Sequence, residues 1–106
     1  MVPEINPVAL AEKLAGSSPP LLIDVREPNE YRFCHIEGAQ LKPLGDIEDW
    51  ARELDKETEI VLQCHSGMRS GQATAYLRRL GFKHVANLRG GIDAWSVMVD
   101  PDVPRY

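Results

Sequence analysis

The sequence predicts an α/β domain of three layers, in which a parallel five-stranded sheet carries helices on both faces. Two observations lead there. Leu21-Leu22-Ile23 and Ile60-Val61-Leu62 are apolar at every position, as strands covered on both sides must be. The stretches between strand candidates repeat apolar residues at helical spacing, and strands separated by helices pair in parallel through right-handed crossovers.

Taken in order, Pro3-Glu4-Ile5 is a short edge strand, and Asn6 caps a helix with Pro7 at its first position. Val8, Leu10, Ala11 and Leu14 form that helix's inward stripe, and Gly16 with Ser17-Ser18-Pro19-Pro20 ends it. Leu21-Leu22-Ile23 is the second strand, and Asp24-Val25-Arg26-Glu27 leaves its end. Pro28 opens a short helix through Tyr31 and Phe33. A turn at Gly38 leads to a brief third strand at 40–42. Over 46–54, Ile47, Trp50, Ala51 and Leu54 recur at helical spacing, with acids and Arg52 on the other face. Ile60-Val61-Leu62 is the fourth strand, followed by a loop and a helix to Leu80. In that helix Ala73, Tyr76, Leu77 and Leu80 face inward, Gln72, Arg78 and Arg79 face water, and Gly81 is the stop. Val85-Ala86-Asn87-Leu88 is the fifth strand. Gly90-Gly91 opens a last helix carrying Ile92, Ala94 and Trp95, and residues 100–106 form an extended tail.

The chain has 106 residues, which suits one domain, 1–106, with a single core hiding roughly two-thirds of its unfolded surface. Hydrophobic content of 43% and a charged fraction of 26% are those of an ordinary globular protein, and a net charge of -4 disfavours nucleic acid as a partner. Met1-Val2-Pro3-Glu4 shows no basic region leading into an apolar stretch, and no run of about eighteen apolar residues occurs, so no membrane partner is expected. Two cysteines form no disulfide framework, which points to a reducing cytoplasm. A monomer is the expectation.

The chemistry concentrates in Cys64-His65-Ser66-Gly67-Met68-Arg69-Ser70, between the fourth strand and its helix. A cysteine there sits at the carboxyl edge of the sheet, where loop N–H groups and the positive end of the next helix converge on its sulfur. That field favours thiolate, so Cys64 is the candidate nucleophile and His65 to Ser70 the candidate anion cradle. Asp24, Arg26 and Glu27 emerge at the same edge as candidate supports of the loop.

Three patches together resemble a single-domain rhodanese, a member of the rhodanese-like sulfurtransferases. They are Leu22-Ile23-Asp24-Val25-Arg26-Glu27 with Tyr31, His35-Ile36 and Gly38-Ala39; the Cys64 loop; and Gly81-Phe82 through Val85, Leu88, Gly90-Gly91-Ile92 and Ala94-Trp95. Their order and spacing span nearly the whole chain. The resemblance implies the family's three-layer fold and a persulfide carried on Cys64, with no metal or organic cofactor. It implies a small-molecule or protein sulfur donor, and a thiol, cyanide or protein acceptor. Two positions depart from the family's pattern. Cys34-His35-Ile36-Glu37-Gly38 stands where Gly-His-Ile-Pro-Gly is usual. His65 follows the nucleophile where many members have arginine, so the preference for anionic donors such as thiosulfate stays open.

Other readings compete. Cys64 could be a small buried hydrophobe. Arg69 could bind an anion or pair with Asp24 or Glu27 to hold the loop closed, two readings of equal standing. Cys34 suits a passive thiol better than a regulatory disulfide with Cys64. His35 and His84 suit structural or solvent-facing roles. Cys34-His35 and Cys64-His65 suggest zinc, but adjacent side chains in extended chain point apart and no Cys-x-x-Cys occurs. A phosphatase or arsenate reductase on the same cradle is disfavoured by loop length, since phosphatases place a longer run between cysteine and arginine than His65, Ser66, Gly67 and Met68. A silent interaction module is disfavoured by the retained cysteine.

Overall fold

The computed structural model describes residues 2–106; Met1, part of the stretch read for a leader, lies outside them. The strands are β1 (Glu4–Ile5), β2 (Leu21–Asp24), β3 (Gln40–Leu41), β4 (Ile60–Gln63) and β5 (Val85–Leu88). They form one sheet in the order β1-β5-β4-β2-β3, every neighbouring pair parallel. The helices are α1 (Pro7–Leu14), α2 (Pro28–Phe33), α3 (Ile47–Ala51), α4 (Met68–Arg79) and α5 (Gly91–Met98).

Alternation along the strands divides the core in two, because successive side chains leave opposite faces of a sheet. Ile23, Ile60, Leu62 and Val85 pack with Ile47, Trp50 and Ala51 of α3 and Ala73 and Leu77 of α4. Leu22, Val61 and Leu88 pack on the other face with Leu10 of α1 and Ile92 and Trp95 of α5. Each fully buried aliphatic side chain contributes roughly 1.5–3 kcal/mol. The two-sided apolar runs are therefore the main cohesive feature, and they hold β4 at the centre of the sheet.

The predicted elements form with four local differences. Asn6 does cap α1, accepting from the Ala9 N–H at 2.8 Å, but Val8 is 47% exposed and Pro7 and Leu10 are its buried residues. The helix expected over 46–54 is shorter. A 3-10 turn, Leu44–Asp46, leads into α3, which ends at Ala51, while Leu54 still packs from the following turn. Leu80 is 39% exposed, because it lies past the last turn of α4, where Gly81 at φ +98° redirects the chain. Residues 100–106 are not merely extended. A turn delivers Val103 to the α1–α5 side of the core, where the Ser96 hydroxyl donates to the Val103 carbonyl at 2.6 Å, and the chain then runs back toward the carboxyl edge of the sheet.

Candidate active site

Cys64 directly follows the central strand, and its residue is 1% exposed. Its Sγ accepts from the Gly67 N–H at 3.1 Å, the Ser70 N–H at 3.4 Å and the Ser70 hydroxyl at 3.3 Å. Burial alone would push the thiol up. The Ser70 hydroxyl and N–H and the Gly67 and Ser66 N–H groups outweigh it, so Cys64 is held below the ordinary thiol range. Gly67 caps α4 and Ser70 lies in its first turn, with Ser66 in the loop just before it, and the positive end of that helix acts in the same direction.

The loop takes this shape because its carbonyls are drawn outward. The Cys64 carbonyl accepts from Ile92 N–H at 2.8 Å and the His65 carbonyl from Asp93 N–H at 3.1 Å, in the first turn of α5. Gly91, at φ +61°, lies so close that a Cβ would collide with both carbonyl oxygens. Gly67 supplies the second special conformation, φ +109°, which turns its N–H onto the sulfur.

The cradle residues play unequal parts. Ser70 is fully buried against the sulfur, Ser66 is exposed, and the Met68 side chain is 76% exposed. The His65 ring stacks on Tyr106 at 4.1 Å between centroids. Arg69 makes an ion pair, but with Glu30 instead of Asp24 or Glu27: Nη1 and Nη2 meet the two carboxylate oxygens at 2.7 and 3.0 Å. Arg69 holds the Glu30 carboxyl down to about 2, against some opposition from burial. The reason is geometric. Asp24 is consumed by Arg26, with Nη2 at 2.7 Å and both side chains at 0% exposure, and Glu27 caps α2 in a box with Glu30. The first turn of α2 thus turns Glu30 toward α4.

Arg26 also donates to the Cys34 carbonyl at 2.7 Å and to the Tyr106 hydroxyl at 2.8 Å, and that hydroxyl donates to Glu30 at 2.7 Å. Asp24 and Arg26 therefore reach the Cys64 loop through Tyr106, Glu30 and Arg69. Burial, with the Glu30 carboxylate adding to it, pushes the Tyr106 phenol up to about 12, so it stays a donor. Cys34 is buried and free, its thiol directed at the Pro104 carbonyl. His35 stacks on Tyr31, and His84 is exposed beside Glu57.

Sequence reasoning missed Glu30, Tyr106 and Asn87. Asn87 is 4% exposed; its amide nitrogen donates to the Gly67 carbonyl at 3.0 Å, and its oxygen accepts from the Ser70 hydroxyl at 2.5 Å. A signal was present, since asparagine in a strand covered on both faces needs buried hydrogen-bond partners. Nothing local marks Tyr106.

The family described as Rhodanese-like domain matches residues 7–98. A protein of Allochromatium vinosum named Sulfurtransferase is 42% identical over 96 residues, covering 91% of this chain and 90% of that one. The putative sulfur carrier protein YrkF of Bacillus subtilis is 39% identical over 95 residues, covering 90% of this chain; the chain spans only 51% of that relative. The crystal structure of a rhodanese-like domain protein from Staphylococcus aureus superposes with a TM-score of 0.84 at 29% identity, covering 98% of each chain.

Proposed function

This chain belongs to the rhodanese-like domain family, and on that premise we propose that it is a sulfurtransferase in which Cys64 carries a sulfane sulfur as a persulfide. The observation that carries this reading is the ring of donors on Sγ: two backbone N–H groups and one hydroxyl within 3.4 Å. The Cys64 thiolate attacks the outer sulfur of a donor, a new S–S bond forms, and the donor's own bond to that sulfur breaks. Its electron pair leaves with sulfite if the donor is thiosulfate, or with a thiolate if the donor is a persulfide. The terminal sulfur then bears the negative charge, which the loop N–H groups stabilise as they did the thiolate. A second nucleophile takes that sulfur and restores Cys64, a ping-pong scheme.

The acceptor class is a thiol, cyanide or a protein carrier, and the sulfur-carrier name of the Bacillus subtilis relative supports including the last. Within the loop, His65, Ser66, Gly67 and Met68 contribute backbone, and Ser70 contributes hydroxyl and N–H. Arg69 acts chiefly as a support through Glu30. Asp24 and Arg26 support the same loop indirectly, and Glu27 does so by capping the helix that presents Glu30.

Intact mass after incubation with a sulfane donor tests this. The protein should gain the mass of one sulfur atom, removable by thiol or cyanide. Cys64→Ser should lose the adduct and turnover, while Cys34→Ser keeps most activity. A fully active Cys64→Ser variant would overturn the assignment.

A further inference from the structure

The Ser70 hydroxyl lies 3.3 Å from Cys64 Sγ and 2.5 Å from Asn87 Oδ1, yet it has one hydrogen to give. The orientation of the Asn87 amide is not arbitrary. The Gly67 carbonyl can only accept, so the amide nitrogen faces it at 3.0 Å and the amide oxygen must face Ser70. Both Asn87 and Ser70 are buried, so water does not substitute freely for a missing partner. Two acceptors therefore compete for one proton.

We infer that Asn87 is a positioning residue that competes with the Cys64 sulfur for the Ser70 hydrogen and so sets the balance between the thiolate and the other sulfur forms. The inference rests on the reading of Cys64 as the sulfur-carrying nucleophile. With a neutral thiol every group is satisfied: S–H donates to the Ser70 oxygen, and Ser70 donates to Asn87. When the proton leaves Cys64, the hydroxyl either turns to the thiolate and leaves the Asn87 oxygen without its donor, or stays on Asn87 and deprives the sulfur. In the persulfide, Sγ is bivalent and uncharged, the charge being on the terminal sulfur. The hydroxyl then returns to Asn87. Asn87 thus disfavours the bare thiolate relative to the forms before and after it, which lowers the barrier to leaving that state by accepting sulfur.

The charged groups around Cys64 do not supply this effect. On α4 Arg69 interacts electrostatically with the sulfur but is tied to Glu30 of α2, and Asp93 of α5 faces His65 and Arg105. Tyr106 donates its hydroxyl hydrogen to Glu30, and Ser70 and Asn87 themselves carry no charge.

The test follows the ultraviolet absorbance of the thiolate against pH in a Cys34→Ser background, which reports Cys64 ionisation whether or not sulfur transfer occurs. Asn87→Val removes both amide contacts but suits a strand. It should free the Ser70 hydrogen for the sulfur and lower the titration midpoint by about half a unit to one unit, a roughly threefold to tenfold rise in thiolate fraction below the midpoint. Asn87→Asp loses the same bond to Gly67 but keeps an acceptor, now charged, on Ser70, and should raise the midpoint. The two variants share the loss of the Gly67 contact, so opposite signs exclude that loss as the cause, and the Ser70→Ala background separates the competition from the charge that Asn87→Asp adds. In a Ser70→Ala background, Asn87→Val should leave the midpoint in place. A shift of the same sign in both Asn87 variants, or an Asn87→Val shift that persists without the Ser70 hydroxyl, would overturn the inference. If Asn87→Val does not fold, a lowered or unchanged midpoint in Asn87→Asp does the same. A normal set of titration shifts without sulfur loading would instead refute the sulfurtransferase reading alone.

Discussion

Replacing Asp24 by alanine isolates the energetic role of the ion pair behind the active-site edge. Arg26 and Asp24 both have 0% side-chain exposure, and three of the guanidinium's hydrogen bonds, at 2.7, 2.9 and 3.1 Å, end on that carboxylate. In the variant Arg26 keeps its bonds to the Cys34 carbonyl and the Tyr106 hydroxyl but has no counter-charge. Its proton does not leave, because an arginine guanidinium starts far above neutrality and burial, which acts to lower it, does not bring it down to neutral pH. An uncompensated buried charge costs about 3–5 kcal/mol. At ~4–8 °C per kcal/mol for a domain of this size, the melting temperature should fall by ~12 °C or more. Urea unfolding monitored by tryptophan fluorescence gives the free energy directly. Asp24→Leu with Arg26→Met removes both charges and should recover about 2 kcal/mol of the loss, the Cys34 carbonyl left without its donor accounting for a remainder of about 1–3 kcal/mol. A single variant within about 1 kcal/mol of the parent, or a double variant no better than the single, would refute the reasoning.

Further outcomes follow from the same geometry. Glu30 is drawn from the usual 4.5 to about 2 by Arg69, so its contribution is present above pH 4.5 and is lost as pH falls toward 2; Glu30→Gln should flatten that part of an acid-unfolding curve, and an unchanged curve would remove Glu30 as the partner that matters. Gly91→Ala should cost about 2–5 kcal/mol, combining left-handed strain with collision against the Cys64 and His65 carbonyls. Gly38→Ala, at φ +86° with nothing within 4 Å of its Cβ position, should cost only the backbone part, about 1–2 kcal/mol, and equal losses in thermal melts would deny the clamp by α5. Inserting a glycine between Gly67 and Met68 should widen the ring that presents Gly67 and Ser70 to the sulfur and depress sulfur transfer. Robust hydrolysis of an aryl phosphate by the unmodified protein would count against the reaction class.

Ile23 and Leu62, apolar neighbours in register across β2 and β4, illustrate what was legible in the chain. A residue that must be apolar on both faces of a strand leaves a local trace, as does the shift to helical spacing after Gly67. Cys64 was legible for the same reason, since the donors that reach its sulfur lie within six positions and belong to the loop and helix that follow it. The limits of that legibility lie where local periodicity meets competition. Val8 occupied an inward position by spacing, but Pro7 and Leu10 took the contact with the core.

The layers and the candidate nucleophile were legible in the chain, because burial pattern and a tight strand-to-helix turn are properties of neighbouring residues. Partners distant in the chain follow only from the closed fold. Arg69 was expected to bind an anion or pair with Asp24 or Glu27, and it joined Glu30 because Asp24 was already neutralised by Arg26 and Glu27 faced the cap of α2. Tyr106 came to lie on His65, and Asn87 to divide the Ser70 hydrogen with the sulfur, only once residues 100–106 packed back and β5 was seated beside β4. The physical reason is that a charge or hydrogen-bonding group finds its lowest free energy by competition among everything folding brings within about 3 Å, and that set does not exist until the chain has closed.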